Sequence, residues 1–112
     1  MSARSHVTTH VLDAARGRPA AGVAVRLESS AGDGWTVVAT GVTDADGRIA
    51  ELGPALLPEG VHRVVFDTGA WFGERPTLYP EVVIVFEVAD ASEHYHIPLL
   101  LSPFAYSTYR GS

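Results

Sequence analysis

The stretch Val23-Ala24-Val25-Arg26-Leu27-Glu28 decides the fold class. A strand points successive side chains to opposite faces, so Val23, Val25 and Leu27 share one face while Ala24, Arg26 and Glu28 share the other. This period of two marks a strand buried on one side. Upstream, residues 6–12 are β-prone through Val7, Thr8, Thr9 and Val11, and Gly17-Arg18-Pro19 reads as a turn region. Downstream, Gly32-Asp33-Gly34 makes a turn and residues 35–42 the next strand.

Thr43-Asp44-Ala45-Asp46-Gly47 carries a tight hairpin signal, because Asp-Gly supplies the positive φ that such turns need. Arg48 then leads a strand expected over residues 48–52, and residues 53–59, with Pro54 and Pro58, read as a connection. Residues 61–67 form another strand, and residues 69–75 have room for one short helical turn before Pro76. The Val-rich run 82–88 predicts a strand buried on much of both faces. Strands over 94–101 and 104–109 complete the chain, with no repeat and no amphipathic helix of useful length. Short strands punctuated by Gly, Pro and Asp about every ten residues predict an all-β sandwich or barrel.

At 112 residues the chain is expected to be a single domain spanning 1–112, small enough to gain from oligomerisation. Apolar residues make up 46%, too many for a disordered chain. The absence of cysteine removes any disulfide framework and any thiol nucleophile, which fits a reducing compartment. A formal net charge of −5 argues against nucleic acid as a partner, since such partners want a basic stripe. An anionic small molecule remains compatible, because a cleft can be locally positive in an acidic protein. The first six residues lack the apolar region of a secretory leader, the apolar run 82–86 is too short to span a membrane, and Arg110-Gly111-Ser112 is no peroxisomal ending. The expectation is a cytoplasmic protein without membrane association.

Few residues can carry chemistry. His10, in a strand-like segment, is either a packed or exposed structural residue or a general base. His94 and His96, spaced i and i+2, project from one strand face, an arrangement that serves acid–base and metal sites alike. Of the two, His94 is expected to be exposed to solvent. Arg48 follows a turn and is either a solvated charge or a fork of donors for a carbonyl or anion. The sequence around it is no calcium loop, since the first and twelfth positions would fall on Val42 and Gly53. The β-prone run Tyr106-Ser107-Thr108-Tyr109 continues almost to the last residue, where a chain end ordinarily frays, so this tail is expected to be held in place. Its arginine, serine hydroxyl and α-carboxylate could join a site, or it could be an edge or interface strand. Trp35, Phe66, Trp71, Phe86 and Phe104 read as core or interface aromatics, and His6 and His62 have no partner visible in the sequence. No Gly-x-Ser-x-Gly elbow or Gly-rich phosphate loop is present, so an enzyme here would activate water.

The blocks Thr9-His10-Val11-Leu12-Asp13, Gly17-Arg18-Pro19-Ala20, Thr43-Asp44-Ala45-Asp46-Gly47-Arg48 and His94-Tyr95-His96-Ile97-Pro98-Leu99-Leu100-Leu101-Ser102-Pro103-Phe104 resemble those of the transthyretin-related proteins over nearly the whole chain. The closing Tyr109-Arg110-Gly111-Ser112 resembles the hydrolase branch, whereas the thyroid-hormone carriers lack it and replace the site histidines and arginine. Ala105, where many members have glycine, and Leu78-Tyr79-Pro80, where two aromatics often precede the proline, depart from the pattern away from the site. The resemblance implies a two-sheet sandwich of about eight strands with one short helix. It implies a homotetramer, a dimer of dimers, with sites in a channel between dimers. It also implies hydrolysis of 5-hydroxyisourate in urate degradation without cofactor or metal. His10, Arg48, His96 and Ser112 would be catalytic, and Tyr109, Arg110 and Gly111 would bind substrate. Which histidine is the base stays open. The alternatives are a non-enzymatic carrier of small aromatic ligands and a zinc protein using His10, His94 and His96.

Overall fold

The structure is a computed structural model that describes residues 5–112, so the reading of residues 1–4 as lacking a leader lies outside the described residues. In chain order the elements are β1 (Val7–Asp13), β2 (Arg18–Pro19), β3 (Ala24–Ala31), β4 (Gly34–Val42), β5 (Arg48–Ile49), β6 (Gly60–Phe66), α1 (Thr68–Phe72), β7 (Val82–Val88), β8 (Tyr95–Ser102) and β9 (Ala105–Thr108). One sheet runs β2-β1-β8-β9, with β5 also paired to β1, and the other runs β4-β3-β6-β7. All pairings are antiparallel except β1 with β8, which lie parallel from Val7 opposite Tyr95 to Asp13 opposite Leu101.

Alternation explains what lies between the sheets. Val7 and Val11 of β1 and Ile97, Leu99 and Leu101 of β8 face Val25 and Leu27 of β3 and Val64 and Phe66 of β6 in one buried cluster. Each fully buried side chain of this kind stabilises by roughly 1.5–3 kcal/mol. The intervening residues of β1 and β8, among them Thr8, His10 and His96, therefore lie on the outer face of their sheet. Among the described residues no helix is long and apolar enough to cross a membrane.

Several sequence expectations are corrected. The turn after Thr43 does not close a hairpin, because β4 pairs with β3 whereas β5 pairs with β1. It carries the chain from one sheet to the other. The expected strand over 48–52 shortens to Arg48–Ile49, and the turn at Arg18–Pro19 contributes a two-residue strand against β1. The helix sits at Thr68–Phe72, one residue earlier and shorter than expected, with Asp67 as its N-cap accepting from the Ala70 N–H. In β7 only Val82 and Val88 are buried, and Val85 is 57% exposed, since among the described residues nothing covers its outer side. Phe104, read as a core or interface aromatic, is 64% exposed and so lies outside the core of this chain.

Candidate active site

The turn that changes sheets is built to deliver Arg48. The Asp44 carboxylate accepts from the Asp46 and Arg48 backbone N–H groups at 2.9 Å each, and the Gly47 N–H donates to the Asp44 carbonyl at 2.9 Å. Gly47 has φ +75° and its α-carbon lies against the Val11 carbonyl, so glycine is required both for conformation and for space. The Gly47 carbonyl in turn accepts from the Val11 N–H at 2.7 Å. This docking onto β1 sets Arg48 directly opposite His10 and Ile49 opposite Thr9. Opposed residues in an antiparallel pair project from the same face, so Arg48 and His10 emerge together. Among the described residues, neither side chain makes an ion pair.

The parallel pairing brings His96 opposite Thr8, two residues before His10 on the same face. The Thr8 hydroxyl, on a residue only 8% exposed, lies 2.8 Å from His96 Nδ1 and 2.9 Å from His94 Nε2. His94 is thus half-buried and hydrogen-bonded, contrary to the expectation that it would face solvent. Thr8 itself escaped the sequence reading. The signal was available, because Thr8, His10, His94 and His96 place polar groups at strand spacing on neighbouring strands.

The tail is held as expected, through β9 and a further bridge. After Thr108 the ladder is interrupted beside Pro98, which has no N–H to give, and resumes where the Gly111 N–H donates to the His96 carbonyl at 2.9 Å. Gly111 packs so closely on the His96 ring, against Cδ2, that no β-carbon fits there. This approach carries Ser112 to the rim of a hollow of about 320 Å³ lined by Thr8, Thr9, Arg48, Ile49, His96 and Ser112. Three of the four residues expected to be catalytic therefore share one cavity. The fourth, His10, adjoins it by register with Arg48 and is not part of its lining.

Tyr109 and Arg110 turn elsewhere. They border a second hollow with Ile84, Phe86 and Tyr95 at the edge between the sheets. Arg110 lies 4.3 Å over the Tyr95 ring, donates to the His94 carbonyl at 3.1 Å and approaches Glu93 at 3.6 Å. Within one chain, then, Arg110 braces the tail, and neither residue lines the cavity of Arg48 and His96.

The other histidines are occupied by the fold. His6 Nδ1 accepts from the Leu57 N–H at 2.7 Å and its Nε2–H donates to the Glu93 carbonyl at 2.7 Å. His62 is 2% exposed between Ser29 and the Pro58 carbonyl. Among the described residues no three His, Asp or Glu side chains are grouped to hold a metal ion, so the three-histidine zinc set does not assemble. In chemical terms the cavity offers a fixed imidazole, a guanidinium and a hydroxyl around space for a small polar ring. An imidazole can move a proton near neutral pH, and a guanidinium can stabilise a developing oxyanion.

A family model described as "HIUase/Transthyretin family" matches residues 7–111. A 5-hydroxyisourate hydrolase of Salmonella dublin is 48% identical over 95% of this chain and 80% of its own length. One from Deinococcus radiodurans is 43% identical over the full length of both. Among solved structures, 5-hydroxyisourate hydrolase of Klebsiella pneumoniae superposes with a TM-score of 0.83 at 38% identity, covering 98% of this chain and 94% of that one. Transthyretin from Sparus aurata superposes with a TM-score of 0.87 at 40% identity, covering 96% and 97%. The two-sheet sandwich is the transthyretin-like fold expected from the sequence, and the chain belongs to the HIUase/Transthyretin family.

Proposed function

We propose that this member of the HIUase/Transthyretin family hydrolyses 5-hydroxyisourate in urate degradation, with residues 1–112 acting as one domain. The observation that carries the proposal is the convergence of Arg48, His96 and Ser112 on one hollow, with His10 opposite Arg48. Relatives named 5-hydroxyisourate hydrolase match over nearly the whole chain and support the substrate. Water adds to a ring carbonyl, the adjacent C–N bond breaks, the ring nitrogen takes a proton, and the former carbonyl carbon stays on the opened molecule as a carboxylic acid that ionises to a carboxylate. His96, with Nδ1 held by Thr8, takes the proton of the attacking water on its Nε2 side. Arg48 binds the oxygen on which negative charge builds, since its donors are fixed in a fork and always charged. His10 hydrogen-bonds substrate beside Arg48, and Ser112 with the Gly111 backbone holds the ring in register. Tyr109 and Arg110 bind substrate only if a neighbouring subunit completes the cavity.

Such a neighbour is part of the proposal. The reactive side chains lie on the outer face of the β1–β8 sheet, and a second protomer laid on that face would close the hollow and exclude water. The exposed Val85, Phe104 and Tyr109 supply apolar surface for a dimer of dimers, and the lack of cysteine fits a cytoplasmic setting. Sedimentation of the purified protein should give a tetramer, and a monomer would contradict this part.

The solved transthyretins, one of them in complex with thyroxine, favour a second reading, that of a carrier for small aromatic ligands. A carrier for such ligands wants an apolar channel, whereas this hollow presents Arg48, His96 and Ser112. Following the absorbance of freshly prepared 5-hydroxyisourate, alongside a thyroxine-binding titration, separates the two. Accelerated decay supports the hydrolase. Thyroxine binding without acceleration supports the carrier.

A further inference from the structure

The Thr8 hydroxyl touches two imidazoles at once, His96 Nδ1 at 2.8 Å and His94 Nε2 at 2.9 Å. A hydroxyl has one proton to donate, so at most one of these nitrogens accepts from it. The other must bring its own N–H. The protonation of one ring is therefore tied to that of the other through a single oxygen. Because Thr8 is 8% exposed, solvent water does not readily replace this link.

We propose that Thr8 is a positioning residue, and that His94-Thr8-His96 forms a proton relay behind the site. The inference rests on the hydrolase reading for its role in turnover. In the resting arrangement His96 carries its proton on Nδ1 and donates it to Thr8, whose own proton is donated to His94 Nε2. That leaves the Nε2 of His96 as the basic nitrogen on the side away from Thr8. When His96 Nε2 takes a proton from the attacking water, its Nδ1 proton passes to Thr8 Oγ1 and the Thr8 proton passes to His94 Nε2. His96 is then neutral with a proton on Nε2, and the positive charge rests on His94. Return of the two inner protons makes His96 an imidazolium again, which gives its Nε2 proton to the departing ring nitrogen and restores the start. No proton is gained or lost beyond the one that water supplies and the leaving nitrogen takes.

The surroundings favour holding the charge on His94. Arg48 lines the same hollow as His96, and a second cation beside a guanidinium is disfavoured. His10 shares the same sheet face. Glu93 precedes His94 in the chain, although it also lies 3.6 Å from Arg110, whose own charge opposes that of a His94 cation. Thr9 and Ser112, the remaining polar residues of the lining, bring hydroxyls and no side-chain charge. A merely structural threonine would do no more than fill space.

Thr8→Val keeps the volume and β-branching and removes the hydroxyl, and Thr8→Ser restores it. In Thr8→Val, kcat is expected to fall roughly 10- to 100-fold, a part of what general acid–base catalysis supplies, with KM little changed. Thr8→Ser is expected to recover most of the rate. The second readout needs no substrate: NMR titration of the His96 ring in wild type, Thr8→Val and His94→Gln. The midpoint of His96 is expected to move by about half a pH unit or more in both variants. Wild-type kcat in Thr8→Val, or a His96 midpoint indifferent to both substitutions, overturns the relay. Should Thr8→Val fail to fold, the His94→Gln titration decides alone. If wild-type protein leaves 5-hydroxyisourate decay unchanged while the His96 midpoint still responds, the hydrolase reading fails and the coupling of the two rings stands.

Discussion

His10 and Arg48 stand directly opposite one another across an antiparallel pair only two residues long. The pair exists because the Asp44–Gly47 turn is clamped onto Val11, and it fixes a guanidinium beside an imidazole on the open face of a rigid sheet. This piece of backbone and the end of the tail line the same hollow.

Arg48 is exposed and makes no ion pair among the described residues, so the fold does not need it. Arg48→Ala is expected to leave stability within about 0.5 kcal/mol of wild type and to lower kcat by roughly 10²- to 10³-fold. Arg48→Lys should stay impaired, because a point charge does not reproduce the fork. Denaturant melts and steady-state rates on the same preparations check this, and near-normal rates in Arg48→Ala would remove Arg48 from the site.

Gly47→Ala strikes the fold itself. The added carbon meets the Val11 carbonyl at a residue with φ +75°. A loss of about 2–4 kcal/mol is expected, with a fall in Tm on the order of 10 °C. Thermal unfolding measures it. A variant as stable as wild type would mean that the turn is not seated on β1.

Gly111→Ala separates activity from stability. A β-carbon there overlaps His96 Cδ2, but the tail is outermost and can lift away at little cost. The melt should change by less than about 0.5 kcal/mol while kcat falls at least about 10-fold, through lost register of Ser112 and His96. Equal activity in the variant would show that the tail does not order the cavity.

Glu28 bears on pH. Its carboxyl is held below the usual range chiefly by the hydrogen bond from Arg26 at 2.7 Å, with Arg63 at 2.6 Å adding to it and burial opposing. A carboxylate whose folded pKa is lowered contributes stability above its ordinary range, and that contribution is lost as pH falls through the folded value. Glu28→Gln is therefore expected to be less stable than wild type at neutral pH, by about 1 kcal/mol or less for such partly exposed partners. The gap should close in strongly acidic buffer. A constant gap across that range would show that the ion pairs do not titrate with Glu28.

The strands were legible where side chains are buried: the period of two marks Val23 to Leu27, and a run of apolar residues marks 82–88. What stayed hidden depends on partners distant in the chain. Asp-Gly announces a turn, but nothing local says that the strands on either side of Gly47 belong to different sheets. The apolar β7 run states that its faces want cover without stating what covers them. His6 looked partnerless because its acceptor and donor lie at Glu93 and Leu57, far along the sequence. For the site, His10, Arg48, His96 and the tail were singled out, yet Thr8 passed as a β-former, since its hydroxyl acquires meaning only when β8 lies parallel to β1. The outward turn of Arg110 was equally unreadable, because it follows from the break beside Pro98 and the face of Tyr95.

In the proposed reaction the imidazole of His96 and the guanidinium of Arg48 together open a purine-derived ring. The most direct measurement is the decay of freshly prepared 5-hydroxyisourate absorbance with no protein, with wild type and with folded His96→Ala, at equal concentrations. Rapid decay is expected with wild type only, and the spontaneous rate, or one within a few fold of it, in the other two. Decay with His96→Ala as fast as with wild type would contradict this role of His96.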